Sequence, residues 1–167
     1  ESGYSVSLSS DGTIVAIGAI FNDGTANMAG HVRIYQYDST KTNAVTHQAD
    51  PNFGPVGWRR LGQDIDGEAF IDQSGYSVSL NSDGTTVAIG ANYNDGNGNS
   101  SGHVRIYQWN NSAWVQLGQD IDGEAGGDES GYSVSLSSDG TIVAIGAIFN
   151  DGTANMAGHV RIYQYDS

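Results

Sequence analysis

The stretch SGYSVSLSSDGTIVAIGAIFNDGTANMAGHVRIYQYD, residues 2–38, decides the fold, because the chain repeats it twice. A changed copy spans residues 74–110, and residues 129–167 match residues 1–39 without a single difference. The copies start 72 and then 56 residues apart, so the larger pattern recurs after 128 residues. We therefore interpret the chain as a window on a longer array whose unit is two repeats, with recent duplication or design as the alternative.

Each copy contains three segments with the patterns of short β-strands. Val6 and Leu8 alternate with serines, as in a strand with one apolar and one hydroxyl face. An Asp-Gly pair at residues 11–12 then predicts a hairpin, and residues 14–19 are apolar at successive positions, as in an interior strand covered on both faces. Residues 31–37, rich in β-branched and aromatic side chains, predict a third strand.

A fourth strand follows in two of the three copies. It comprises residues 114–117 in the middle copy and residues 58–61 in the first, where a long insertion at about residues 38–57 precedes it. The GQDIDGEA sequence that comes next is predicted to be a polar crossing to the next unit. Four short antiparallel strands joined by hairpins are typical of a β-propeller blade. The sequence thus predicts an all-β fold, an incomplete propeller, with full blades at residues 1–72 and 73–128 and a partial blade at residues 129–167.

The repeats resemble the FG-GAP type of β-propeller repeat found in integrin α-subunit heads and in many microbial surface proteins. The resemblance rests on Ser-Gly-Tyr leading strand one, Ile-Gly-Ala ending strand two, and Gly-His-Val-Arg-Ile-Tyr in strand three. It implies propeller blades and a ligand-binding role. The chain departs from the family at Tyr4, where Phe-Gly is usual. Its Ser-Ser-Asp-Gly turn also lacks the aspartates of the integrin-like calcium loop, so the resemblance implies no calcium site there.

Composition and charge narrow the classes of partner. The 167 residues include 24 glycines, 2 prolines and no cysteine, which is typical of a turn-rich folded chain without disulfides. With 6 basic and 19 acidic residues, the net charge is −13, which opposes binding to nucleic acids and to anionic membranes. No apolar run approaches the length of a membrane span. Divalent cations and basic partners fit the charge.

Acidic residues in the two crossings are the candidate metal ligands. Carboxylates at alternate positions of a glycine-containing loop suit a hard cation such as Ca²⁺. Turns held by side-chain to backbone hydrogen bonds are the alternative. The recurring histidines at positions 31, 103 and 159 are expected to be structural. The candidates are Asp64, Asp66, Glu68, Asp72, Asp120, Asp122, Glu124 and Asp128.

Two sequons begin at Asn99 and Asn110, both in predicted loops of the middle copy. They predict N-linked glycans if the protein is secreted from a eukaryotic cell, with chance occurrence as the alternative.

The insertion is predicted to contact a partner, because long loops on a rigid β-scaffold often carry binding function. Docking on an acidic neighbouring blade would suit its basic residues, whereas a disordered spacer is the alternative. The candidate contact residues are Lys41, His47, Phe53, Arg59 and Arg60.

These patterns predict a non-catalytic extracellular structural or adhesive repeat protein. The same acids appear twice on a repeated scaffold and no nucleophile motif with histidine and acid occurs, so we expect no enzyme. The strand at residues 159–165 would present an unpaired edge, so we expect self-association with further copies, as in a filament-forming assembly. N-linked glycans and Ca²⁺ are the candidate bound groups. The alternative is a ligand-binding propeller, lectin-like or calcium-dependent, whose strand aromatics stack on sugars rather than wedge between blades.

Overall fold

The computed structural model describes residues 2–40, 57–152 and 154–165, which form thirteen short strands and no helix. The predicted all-β fold is confirmed. The strands are β1 (Val6–Leu8), β2 (Ile14–Ala19), β3 (His31–Tyr37), β4 (Trp58–Arg60), β5 (Ile65–Asp66), β6 (Ser77–Leu80), β7 (Thr86–Ala91), β8 (His103–Trp109), β9 (Trp114–Gln116), β10 (Ile121–Asp122), β11 (Ser130–Leu136), β12 (Ile142–Ala147) and β13 (His159–Gln164).

The strands form three antiparallel sheets, which we call blades 1, 2 and 3. Blade 1 has the order β1-β2-β3-β4, with β5 also paired to β3. Blade 2 repeats this arrangement with β6 to β10, and blade 3 contains only β11-β12-β13. The three sheets have the character of propeller blades that do not close into a ring. Among the described residues, blade 3 shows no outer strand, and β13 forms its edge.

The outer strand of each full blade is broken into two segments. In blade 1, β4 pairs with the end of β3, whereas Ile65 and Asp66 pair with Val32 and His31 at its start. Gly62, with a φ of +80°, lies between the two segments. The prediction that GQDIDGEA is only a polar crossing is therefore wrong at Ile65–Asp66 and Ile121–Asp122. The apolar isoleucines continue the sheet there.

The blades stack face to face. We call the face of each blade that carries the first-strand apolar residues (Val6 and Leu8 in blade 1) its front face, and the face that carries the first-strand serines (Ser5 and Ser7) its back face. The front face of each following blade packs on the back face of the one before it. The first junction buries Ile14, Ala16, Val32 and Ile34 against Val78, Leu80, Val87 and Ile89. The second buries Ala88 and Val104 against Val143 and Ile145.

The hydroxyl face of the first strand contacts the next blade. Ser5 Oγ donates to the Gly75 carbonyl over 2.7 Å, and the Leu80 amide donates to Ser7 Oγ over 2.9 Å. Serine is small enough to let the sheets approach, and each hydroxyl is satisfied by a backbone group of the neighbouring blade.

The second junction repeats these contacts one unit later. Ser77 Oγ donates to the Gly131 carbonyl over 2.7 Å, and the Leu136 amide donates to Ser79 Oγ over 3.0 Å. Successive blades therefore use one standard junction.

Glycine in the second strand permits this close approach. A Cβ on Gly18 would lie 2.0 Å from the Gly75 carbonyl oxygen, and a Cβ on Gly90 would lie 2.1 Å from that of Gly131. Any side chain at either position would collide with the backbone of the next blade.

Candidate functional site

An arginine from each following blade binds the blade before it. In blade 2, Nη2 of Arg105 donates to the Asp66 carbonyl over 2.8 Å, and its Nη1 lies 3.3 Å from the Glu68 carboxylate. Arg105 is buried, whereas Glu68 is half exposed. Because Asp66 and Glu68 belong to blade 1, Arg105 links the two blades across the junction, and we call this contact a clasp.

The second junction has the same clasp. Nη2 of Arg161 donates to the Asp122 carbonyl over 2.6 Å, and Nη1 lies 3.6 Å from Glu124. The imidazole Nδ1 of His159 lies 3.6 Å from the same carboxylate. Sequence reasoning missed this pairing, although the signal was present: Glu68 and Arg105 are separated by the same 37 residues as Glu124 and Arg161.

Blade 1 has no preceding blade in the chain, and its arginine binds inside the blade instead. Nε and Nη2 of Arg33 donate to the Asp64 carboxylate over 3.0 Å, and Arg60 Nη1 donates to it over 2.9 Å. Burial disfavours the ionised form of Asp64, but the Arg33 hydrogen bonds and charge outweigh it and lower the pKa of that carboxyl. Asp64 is therefore the centre of an ion-pair network at neutral pH.

Two groups of side chains could hold a metal ion within the described residues. They are His31 with Asp64 and Asp66, and Glu68 with His103 and Asp120. In each group the candidate ligand atoms all lie within 4.8 Å of one another. One histidine nitrogen with two carboxylates is a ligand set that suits Zn²⁺ or Mn²⁺ better than Ca²⁺.

The histidine of the second group is deeply buried. Burial, together with the Arg105 guanidinium, lowers the pKa of His103, so its imidazole is neutral at pH 7. Its Nδ1 lies 3.5 Å from the Asp120 carboxylate, and no described residue makes a hydrogen bond to it. A cation placed there would compete with Arg105, which already contacts Glu68. The ion pair with Arg105 thus accounts for Glu68, whereas His103 Nδ1 is left without a hydrogen-bond partner among the described residues.

The remaining predicted metal ligands make different local contacts. The Asp72 carboxylate accepts hydrogen bonds from the backbone amides of Glu68 and Ala69, which is turn chemistry. Asp128 accepts the amide of Ala125 and the side chain of Asn150. Calcium binding at the eight acids stays a prediction. An ion bound to the Asp64 carboxylate would have to displace the Arg33 guanidinium.

Both sequon asparagines are exposed. Asn110 Oδ1 accepts hydrogen bonds from the backbone amides of Ser112 and Ala113, so its side chain organises the turn between β8 and β9. A glycan on Asn110 would leave this oxygen available, because the linkage is made through the amide nitrogen. Glycosylation at Asn99 and Asn110 stays a prediction.

Most of the predicted partner loop lies outside the described residues, including Lys41, His47 and Phe53. Of the two arginines beside it, Arg59 donates to Gln36 and Arg60 binds Asp64. Arg60 is therefore engaged within its own blade, and partner contact by this loop stays a prediction.

One tyrosine from each blade joins a column that runs across the junctions. The rings of Tyr4 and Tyr76 have centroids 4.9 Å apart, and those of Tyr76 and Tyr132 are also 4.9 Å apart, tilted by 48° and 49°. Burial, with hydrogen bonds from both neighbours, raises the pKa of Tyr76. The middle ring is thus stacked on two sides and each end ring on one.

An apolar groove of about 190 Å³ lies at the junction of blades 2 and 3. Ile106, Leu117 and Ile121 line one wall, and Leu136 and Tyr163 line the other. At the first junction, Trp114 of the outer strand packs against the core and donates its Nε1 to the Leu61 carbonyl over 2.8 Å. Blade 3 shows no such strand among the described residues, and the groove lies at the position that the tryptophan occupies in the first junction.

The strands, the shared junction and the clasps define an all-β repeat protein built from propeller-like blades. Residues 65–107 match the FG-GAP repeat family, which confirms the FG-GAP-like resemblance over the segment from β5 to most of β8. None of the curated proteins matches the chain. FG-GAP is a non-catalytic repeat family typical of extracellular or surface proteins. Among the described residues, no helix is long and apolar enough to span a membrane.

Proposed function

We propose that this protein is a non-catalytic, extracellular structural or adhesive repeat protein that forms part of a longer assembly with a 128-residue, two-blade period. The observation that carries the proposal is the standard junction. Ser5 to Gly75 and Ser77 to Gly131 are the same hydrogen bond, each 2.7 Å long, at two successive positions. A junction that any blade can make with the next supports extension by repetition.

The aromatic residues support a scaffold more than a sugar-binding platform. Trp109 and Trp114 have ring centroids 5.5 Å apart and pack against the core at the first junction. The ring faces of these tryptophans therefore pack between the blades, as a structural role requires, rather than facing a sugar ligand. The family match also favours a repeat module over an enzyme.

Labelling of native material tests this function. Antibodies raised against the purified chain should decorate the surface of intact source cells or the extracellular matrix, and electron microscopy should show continuous assemblies there. Labelling only after permeabilisation would contradict an extracellular role. Discrete closed rings that bind a soluble glycan would favour the ligand-binding propeller instead.

A further inference from the structure

The two end faces of the three-blade stack are apolar and uncovered. On the front face of blade 1, Val6 and Leu8 are 65% and 60% exposed, whereas the equivalent Val78 and Leu80 of blade 2 are 9% and 7% exposed. On the back face of blade 3, Val160 and Ile162 are 66% and 71% exposed, whereas the equivalent Val32 and Ile34 of blade 1 are 0% and 1% exposed. Each end presents one half of an interface that is buried elsewhere in the same chain.

We propose that these end faces bind each other, so that the back face of blade 3 in one copy of the chain docks on the front face of blade 1 in a second copy. This inference rests on the proposed function and names its partner and surfaces. The resulting contact is heterologous, with different surfaces on the two sides.

The internal junctions supply the template for this contact. Blade 3 has the same sequence as the start of blade 1, whose back face already binds a front face at the first junction. In the same way, the start of blade 1 has the sequence of blade 3, and the front face of blade 3 already binds the back face of blade 2 at the second junction. Both halves of the proposed contact are thus seen in use.

The polar contacts can be placed in the same way. The hydrogen bond from Ser77 Oγ to the Gly131 carbonyl becomes one from Ser133 Oγ to the Gly3 carbonyl of the second copy. Likewise, the Leu8 amide of the second copy would donate to Ser135 Oγ. Both of these serine hydroxyls then have a backbone partner, as buried polar groups require.

Gly146 and Tyr132 fit the same arrangement. Gly18 and Gly90 each admit a carbonyl of the next blade, whereas the three described atoms nearest to a Cβ built on Gly146 all belong to Ser133 of its own blade. A second copy would place its Gly3 carbonyl there. Tyr132, at the end of the tyrosine column, would stack on Tyr4 of that copy.

The contact is smaller than an internal junction, because blade 3 contributes no outer strand. Leu61 and Ile65 of blade 1 help to form the first core cluster, and blade 3 has no equivalent residues in this chain. The three inner strands nevertheless supply the serine contacts and the central apolar residues. Two chains together contain six blades, two of them partial, and this number lies within the range of about four to eight that closed propellers use.

Paired surface variants test the docking. Leu8→Asp places a charge on the front end face only, and Ile162→Asp places one on the back end face only. Val115→Asp is the control, because Val115 is exposed and apolar but lies on the outer strand of blade 2. Circular dichroism and thermal melting establish that each variant is folded, and sedimentation velocity then measures assembly across a concentration series.

The wild-type chain and Val115→Asp should associate with concentration, as a closed dimer or as longer head-to-tail species. Either end-face variant alone should weaken association at least ~10-fold, since a carboxylate in an apolar contact is strongly disfavoured. A mixture of the two end-face variants should restore a dimer and nothing larger, because each retains the surface that the other lacks.

Several results would overturn the proposal. They are a wild-type chain that stays monomeric at high concentration, an end-face variant that dimerises alone as well as wild type, and a mixture that gives no dimer. A monomeric chain that native labelling still finds on the cell surface would refute the docking and leave the proposed function intact. A chain that docks as proposed but is found only inside cells would support the docking and refute the proposed extracellular function.

Discussion

Replacing Gly90 by alanine tests how closely blades 2 and 3 approach. The added Cβ would lie 2.1 Å from the Gly131 carbonyl oxygen, which is backbone and cannot rotate away. Overpacking of this kind costs about 1–3 kcal/mol. For a domain of this size each kcal/mol lowers the melting temperature by about 2–4 °C, so Gly90→Ala should melt at least a few degrees below wild type.

Gly146→Ala is the matched control. The added Cβ at either position would meet a serine hydroxyl at 2.4 Å, Ser77 for Gly90 and Ser133 for Gly146, so this local clash is common to both variants. Only Gly90 also faces a carbonyl of the next blade. Thermal melting at concentrations low enough to keep the chain monomeric should show Gly146→Ala above Gly90→Ala. Equal melting temperatures would refute the close approach between blades.

Three further predictions concern the clasp, the open groove and the aspartate turns. Arg105→Met should lower the free energy of unfolding by about 1–3 kcal/mol, because it leaves Glu68 without its buried partner. Arg161 is more exposed, so Arg161→Met should lower it by under ~1 kcal/mol. Urea titrations measure both losses, and equal losses would contradict the buried clasp. Appending a copy of residues 112–125 after Ser167 should raise the free energy of unfolding by about 1.5–3 kcal/mol, because its tryptophan fills the groove beside blade 3. The same extension with serine in place of that tryptophan is the control and should raise it by less. Ser137 and Thr141 lower the pKa of Asp139 to about 2, below its unfolded value, so its contribution to stability is complete above about pH 4 and is lost as the pH falls toward 2. Asp139→Asn should therefore flatten the fall in melting temperature between pH 4 and 2, and an unchanged slope would show that this turn does not contribute.

Local patterns predicted the strands because they depend on neighbours in the sequence. The alternation at Val6 and Leu8, the Asp-Gly hairpin and the identity of the end copies were enough to place β1, β2 and β3 and their repeats. The short strand at Ile65–Asp66 was missed because two residues carry no periodicity, and only pairing with β3 identifies it.

Contacts between blades were harder to predict, because the partners lie in different repeats. The serine face of strand one would ordinarily be assigned to solvent, yet Ser5 and Ser7 bind the next blade. The arginine clasps also escaped notice, since Arg105 and Glu68 belong to different units. Of the acidic candidates, Asp66 lies in β5 rather than in a crossing, Asp64 binds arginines of its own blade, and Asp72 accepts backbone amides of its own turn. The alternate spacing of the acids identifies none of these partners.

Amide hydrogen exchange followed by NMR tests the central claim, a repeated junction with open ends, most directly. The Leu80 and Leu136 amides donate to serines of the preceding blade, whereas Leu8, at the equivalent position of blade 1, has no preceding blade in the chain. In dilute protein, Leu80 and Leu136 should be protected and Leu8 should exchange quickly, with Leu8 gaining protection as the concentration rises. Equal protection of all three in a dilute monomer, or rapid exchange at Leu80 and Leu136, would contradict it.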